Sequence, residues 1–190
     1  MMKKLIVGIT GADGVCLGVR LLRHLHQLPE VETHLVLTKA AERNLQLEGI
    51  SVEEVRALAD RTYAIDDMTA LIASGSFVTD GMLIVPCSMK TLAALACGYT
   101  ENLLQRAADV CLKERRRVVL VPREMPLGRV HLKNLLTADE LGCVIVPPML
   151  TFYNRPQTVE DHIDHILGKA LLQFGLELPG FKPWEGAAHE

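Results

Sequence analysis

Residues 5–15 read LIVGITGADGV. A short apolar run, Leu5–Val7, gives way to Gly8, Gly11 and Gly14, and a helical pattern begins at Val15. Strand, tight glycine turn and helix together aim free backbone N–H groups and the positive end of a helix dipole at an anion. The stretch therefore predicts a phosphate-bearing ligand near the start of the chain. Its spacing is GxxGxxG, not the dinucleotide GxGxxG, and glycines also end strands for steric reasons. A plain strand-to-helix turn stands beside the phosphate site as a reading of these residues alone.

Outward from this turn, apolar strand-like runs alternate with helical patterns. Strands are expected at Leu5–Ile9, Glu32–Thr38, Met82–Pro86, Val118–Val121 and Val144–Val146. Helices are expected near Gly14–Leu28, Ala40–Leu47, Val52–Leu58, Lys90–Cys97, Leu103–Arg115, Leu127–Leu141 and Val159–Phe174, with a polar link around Asp66 and Asp67. Such alternation gives a doubly wound α/β fold with helices on both faces of a parallel sheet. Its ligands sit beyond the carboxyl ends of the strands. The length, 190 residues, suits a single domain over residues 1–178, and the Gly/Pro-rich stretch Pro179–Glu190 reads as a loosely ordered tail.

Composition narrows the function classes. A hydrophobic fraction of 49% fits a buried parallel sheet, and a formal charge of −3 argues against a nucleic-acid binder. No apolar segment approaches the roughly 18 residues of a membrane span. Five cysteines, an odd number without a CxxC pair, fit a reducing cytoplasmic setting without structural zinc. The mostly apolar Leu92–Leu104 stretch points to a homo-oligomer.

The strand ends carry the chemistry. Pro86-Cys87-Ser88-Met89-Lys90-Thr91 places two hydroxyls and an ammonium at a helix start. Ser and Thr are ordinary caps there, but a cation in the first turn opposes the dipole unless it meets an anion. Pro122-Arg123-Glu124-Met125-Pro126 pins an arginine and a glutamate between prolines: either an Arg–Glu ion pair or a bidentate phosphate contact. Arg106 and Lys113, seven residues apart, project from one helix face two turns apart. His162 and His165 have the spacing of a metal pair but no third ligand, and read as a solvated or interface face. Cys87 reads as a small buried thiol.

Taken together, LIVGITGADG, Ser74–Tyr99, Arg106–Leu127, HLKNLL (131–136) and FYNRPQTVEDHI (152–163) resemble the UbiX-type flavin prenyltransferases. More narrowly they resemble the B subunits that accompany hydroxyaryl-acid decarboxylases. The resemblance implies a flavodoxin-like fold, a dodecamer with the flavin at a subunit interface, and metal-independent transfer of a dimethylallyl group. The donor would be dimethylallyl monophosphate and the acceptor reduced FMN, with bonds at N5 and C6. The product, prenylated FMN, would serve a UbiD-type aromatic acid decarboxylase. It also implies site residues. The flavin would contact Gly11, Ala12, Asp13, Thr38, Ser88, Met89, Lys90, Thr91 and Arg123. The isoprenyl phosphate would meet Arg106, Lys113, Tyr153 and Lys169, and Glu48 and Glu124 would be the active-site carboxylates.

Four positions depart from the family pattern: Asp13 replaces Ser or Thr, Leu17 replaces a frequent Tyr, Leu150-Thr151 replaces Pro-Ala, and Lys169 replaces Arg. Asp13 bears most on function. A second negative charge about 4 Å from an anionic flavin costs on the order of 4 kcal/mol at an effective dielectric near 20. The sequence offers two escapes, a protonated Asp13 or one that turns away to cap the helix starting near Gly14. It also leaves an alternative function: an FMN- or prenyl-FMN-binding or delivery subunit with weak or no transferase activity. A cysteine decarboxylase of related fold is a third reading, disfavoured because His24, His26 and His34 fall on a helix or within a strand.

Overall fold

The computed structural model describes residues 2–184 and 186. Its sheet is built from β1 (Lys3–Ile9), β2 (Val31–Leu37), β3 (Arg61–Tyr63), β4 (Gly81–Cys87), β5 (Arg117–Pro122) and β6 (Cys143–Ile145). The strands are all parallel, in the order β3-β2-β1-β4-β5-β6. The helices are α1 (Val15–His26), α2 (Lys39–Leu47), α3 (Val52–Ala57), α4 (Met89–Ala96), α5 (Leu103–Lys113), α6 (Arg129–Glu140) and α7 (Val159–Leu172). Without the three-residue edge strand β3 this is the flavodoxin order, and the sequence grows outward from β1 in both directions. The switch point lies between β1 and β4.

Period-two alternation in β1 divides the core. Leu5, Val7 and Ile9 face one layer, with α1, α2, α3 and α7. Ile6 faces the other, with α4, α5 and α6. Both layers are needed because an all-parallel sheet exposes two apolar faces. Helix α1 lies close on β4: a Cβ at Gly18 would stand 2.4 Å from the Val85 carbonyl oxygen, so only glycine allows the approach.

Two expectations are corrected. The link after α3 contains β3, which pairs with His34–Val36 of β2. Three residues with no apolar run give no strand signal; the partner strand and Asp60 hold them instead. The Asp60 carboxylate accepts from the Thr33 N–H and hydroxyl at 2.7 and 2.8 Å. Second, Leu92, Leu95, Leu103 and Leu104 are buried within this chain's own core and are not an outer apolar face. Exposed apolar residues include Met125, Val130, Leu132 and Leu136 around α6, and Met149, Leu150 and Phe152.

Helix α7 is tied to α1 by charge. Arg20 donates to both oxygens of Asp164, at 2.5 and 2.6 Å, and His24 Nε2 lies 2.9 Å from the same carboxylate. Burial works to raise the Asp164 pKa, but the Arg20 and His24 contacts outweigh it and hold the carboxyl below its ordinary range. A depressed carboxylate contributes stability above the unfolded pKa and loses it as pH falls through the folded value. Asp164→Asn should therefore cost about 1–2 kcal/mol at pH 7, and the difference from the wild type should begin to shrink only below about pH 4 and vanish as pH falls through the folded-state value. Urea titrations at stepped pH check both features.

Candidate functional site

The carboxyl ends of four neighbouring strands are stitched together. Thr38 N–H at the end of β2 donates to the Ile9 carbonyl of β1 (3.1 Å). The Thr10 hydroxyl donates to the Pro86 carbonyl of β4 (2.7 Å) and accepts from the Ser88 N–H (2.8 Å). Arg123 N–H at the end of β5 donates to the Cys87 carbonyl (3.0 Å). Thr10 is fully buried, so both of its bonds are made away from water. Helices α1, α2 and α4 all begin along this edge, and their N-termini surround the turn at 10–14.

The turn itself is held against α2. A Cβ on Gly11 would come within 2.3 Å of the Ala40 Cβ, and Asn44 Nδ2 donates to the Ala12 carbonyl at 3.1 Å. Thr38 and Ser88 are helix caps: each side chain accepts from an N–H three residues on, that of Ala41 at 3.1 Å and that of Thr91 at 3.3 Å. Capping uses their lone pairs. The Thr38 proton remains to donate, while the Ser88 hydroxyl donates to Thr91 Oγ1 at 3.2 Å. Met89 packs against the core layer of α4 and α5. Lys90 is exposed, with Glu101 3.9 Å away. Cys87 is fully buried, and burial pushes its thiol pKa well up.

Asp13 does not cap helix α1, contrary to one expectation. Gly14, in the left-handed region, is the N-cap of α1, with no side-chain cap bond. The Asp13 carboxylate instead accepts from Arg123 Nη2 at 2.6 Å, bridging the β1 turn to the end of β5. The Arg123–Glu124 ion pair considered from the sequence is therefore not formed. Glu124 accepts from the Met125 N–H at 3.0 Å. A partner 110 residues away cannot be read from local spacing. Glu48, exposed at the end of α2, stands near the start of α1: burial raises the Cys16 thiol pKa, and Glu48 and Asp13 add to the rise.

The residues assigned to the isoprenyl phosphate fall in two other places. Lys113 ends α5 and pairs with Glu114. Arg106 donates to the Ala73 carbonyl (3.1 Å) and to Asp109 (2.7 Å). Helix α5 returns the chain to the start of β5, whereas Arg123 follows the end of that six-residue strand. Strand length alone puts Lys113 and Arg123 about 20 Å apart. Tyr153 and Lys169 come together at a third corner, around His165. The Tyr153 hydroxyl is 3.3 Å from His165 Nε2, and Lys169 shares a cavity of about 330 Å³ with His165 and Thr151.

His165 is not part of a solvated face. It is buried, stacked on Phe181 and edge-on to Tyr153; burial lowers its pKa, with Lys169 and His162 adding to the effect. His162 packs edge-on to Phe152. Phe181 and Trp184 belong to the stretch read as a tail, and Trp184 packs edge-on to Tyr153. Glu185 and residues 187–190 of that stretch lie outside the described residues. Sequence reasoning passed over Thr10 and Trp184, and read His165 only as part of a solvated or interface face. A hydroxyl at the last position before a glycine turn was the available signal for the first.

The flavoprotein family model matches residues 1–170. A UbiX-like flavin prenyltransferase of Sedimentibacter hydroxybenzoicus is 58% identical over 96% of this chain and 97% of its own length. The crystal structure of a dodecameric FMN-dependent UbiX-like decarboxylase from Escherichia coli O157:H7 is 53% identical. It covers 96% of this chain and 100% of that one, with a TM-score of 0.94. AnUbiX, crystallised with FMN and dimethylallyl pyrophosphate, is 47% identical over 98% of this chain and 100% of its own, with a TM-score of 0.95. The fold and its cleft define a flavoprotein, and within that family the chain belongs to the UbiX-like flavin prenyltransferases.

Thr10 is the residue on which the cleft geometry turns. Thr10→Val keeps the shape but leaves the Pro86 carbonyl without the hydroxyl donor and the Ser88 N–H without its acceptor. We expect a loss of about 2–3 kcal/mol in chemical denaturation, with Thr10→Ser recovering most of it.

Proposed function

We propose that this chain is a flavin prenyltransferase that joins a dimethylallyl group to reduced FMN, and that its working form is a homo-oligomer with sites shared between copies. One observation carries the reading: three helix N-termini meet the glycine turn at the switch point of a flavodoxin-like sheet. Backbone N–H groups with the Thr38, Ser88 and Thr91 hydroxyls suit a phosphate monoester there. Strand β2 is followed by Thr38-Lys39, without the acidic residue that holds an adenosine ribose, which favours FMN over FAD or NAD.

Reduced FMN, when bound, supplies the N5 and C6 positions that take the five-carbon unit. Gly11, Ala12, Asp13, Met89, Lys90 and Arg123 complete its surroundings. Arg106, Lys113, Tyr153 and Lys169 would hold the donor phosphate, dimethylallyl monophosphate, and stabilise the charge that develops on its departing oxygens. Glu48 and Glu124 are carboxylates able to accept a proton. Within one chain Lys113 stands about 20 Å from Arg123 at the flavin cradle, the length of strand β5. Neighbouring copies would complete the site, as in a dodecamer, and the exposed apolar residues around α6 suit such contacts. The same reading places the protein in the cytoplasm, with a UbiD-type aromatic acid decarboxylase receiving prenylated FMN.

The delivery-subunit alternative rested on an unbalanced charge at Asp13. Its pairing with Arg123 removes that ground. The test is anaerobic incubation with reduced FMN and dimethylallyl monophosphate, followed by mass spectrometry. The expected product is flavin heavier by one five-carbon unit. Flavin that binds and returns unmodified would favour delivery over transfer.

A further inference from the structure

The Asp13–Arg123 pair has features that a surface salt bridge lacks. It joins β1 to β5 across the end of the intervening strand β4, and the Arg123 backbone is itself fixed to the Cys87 carbonyl. Asp13 is 72% exposed and Arg123 40%, so the pair adds little stability. Its consequence is for orientation and charge. A guanidinium has five N–H donors, and Arg123 gives one of them to Asp13. Arg123 and Asp13 both line a cavity of about 220 Å³ whose other walls are Gly14, Leu17, Pro86, Val121 and Pro148. Largely apolar walls with a paired, charge-compensated hydrogen-bond donor suit a flat, acceptor-bearing ring. They do not suit a phosphate dianion, for which the helix N-termini at Thr38 and Ser88 provide.

We propose that Asp13 is a positioning residue that neutralises and orients Arg123, so that this corner recognises the isoalloxazine ring of the flavin and not its phosphate. The inference rests on the flavin reading above and deepens it. It reverses the expected role of Asp13, from an obstacle to flavin binding to a part of the binding site. It also gives Arg123 a task different from the bidentate phosphate contact its sequence context suggests.

Riboflavin and FMN, which share a ring and differ in the phosphate, separate the two roles. Dissociation constants for both are measured by fluorescence quenching in the wild type, Asp13→Asn, Arg123→Met and the double variant, with thermal melting to confirm folding. Asp13→Asn should weaken riboflavin about fivefold, the order expected from losing one oriented surface pair. The double variant should lose no more than Arg123→Met alone, because both act through one contact. Asp13→Asn should also raise the FMN-to-riboflavin affinity ratio and make FMN binding more salt-sensitive, since an unmasked cation favours the dianion. The ratio should return to the wild-type value in the double variant. A purely structural loss would leave ratio and salt dependence unchanged. Asp13→Asn that binds riboflavin as well as or better than the wild type, or losses that multiply in the double variant, would overturn the proposal. If the wild type binds neither flavin, the flavin site fails as a whole.

Discussion

The buried hydroxyl of Thr10 is the contact on which the rest of the cleft depends. It donates to the end of β4 and accepts from the first residue beyond it, so β1 and β4 finish in fixed register at the switch point. Thr38 and Arg123 extend the same stitching to β2 and β5 through their backbone N–H groups. Four strand ends are thereby held as one edge, and the helices that begin there present their N-termini to a common space. Backbone N–H groups from several helices thus face one space, which suits an anion better than any single terminus does.

The same parallel topology that builds the cradle limits what one chain does. Helix α5 carries the chain back to the starting edge of the sheet, so its last residues lie far from the cradle. Lys113 is such a residue, and the length of β5 separates it from Arg123. Tyr153 and Lys169 are assembled at yet another corner by His165, Phe181 and Trp184, with α7 held to α1 by the Arg20–Asp164 pair. On the proposed reading, the flavin cradle and Lys113 stand on separate surfaces and would become one site only between copies.

Much of this was legible in the sequence where signals are local. The apolar run and glycines of residues 5–15 located β1, its turn and α1, and the hydroxyl at Ser88 marked a helix start through its capping chemistry. Edge strand β3 was not legible, because Arg61–Tyr63 has no pattern of its own and forms by pairing with β2. Asp13 was misjudged for a related reason. Its charge was plain, but its partner lies 110 residues away, and only the fold brings β5 to the β1 turn. Leu92–Leu104 misled because apolar periodicity does not say which protein surface covers a helix; here it is the chain's own sheet.

The most direct test of the shared-site account is mixing two inactive variants. Arg123→Met disables the cradle and Lys113→Ala disables the phosphate-binding surface, so each homo-oligomer should lack prenyl transfer. When the two are co-expressed, mixed oligomers contain some sites that draw both intact surfaces from different copies. The account predicts that flavin prenylation returns to a measurable fraction of the wild-type rate in mixed oligomers purified through two affinity tags. Mixed oligomers as inactive as either parent would contradict it and place the whole site within one chain.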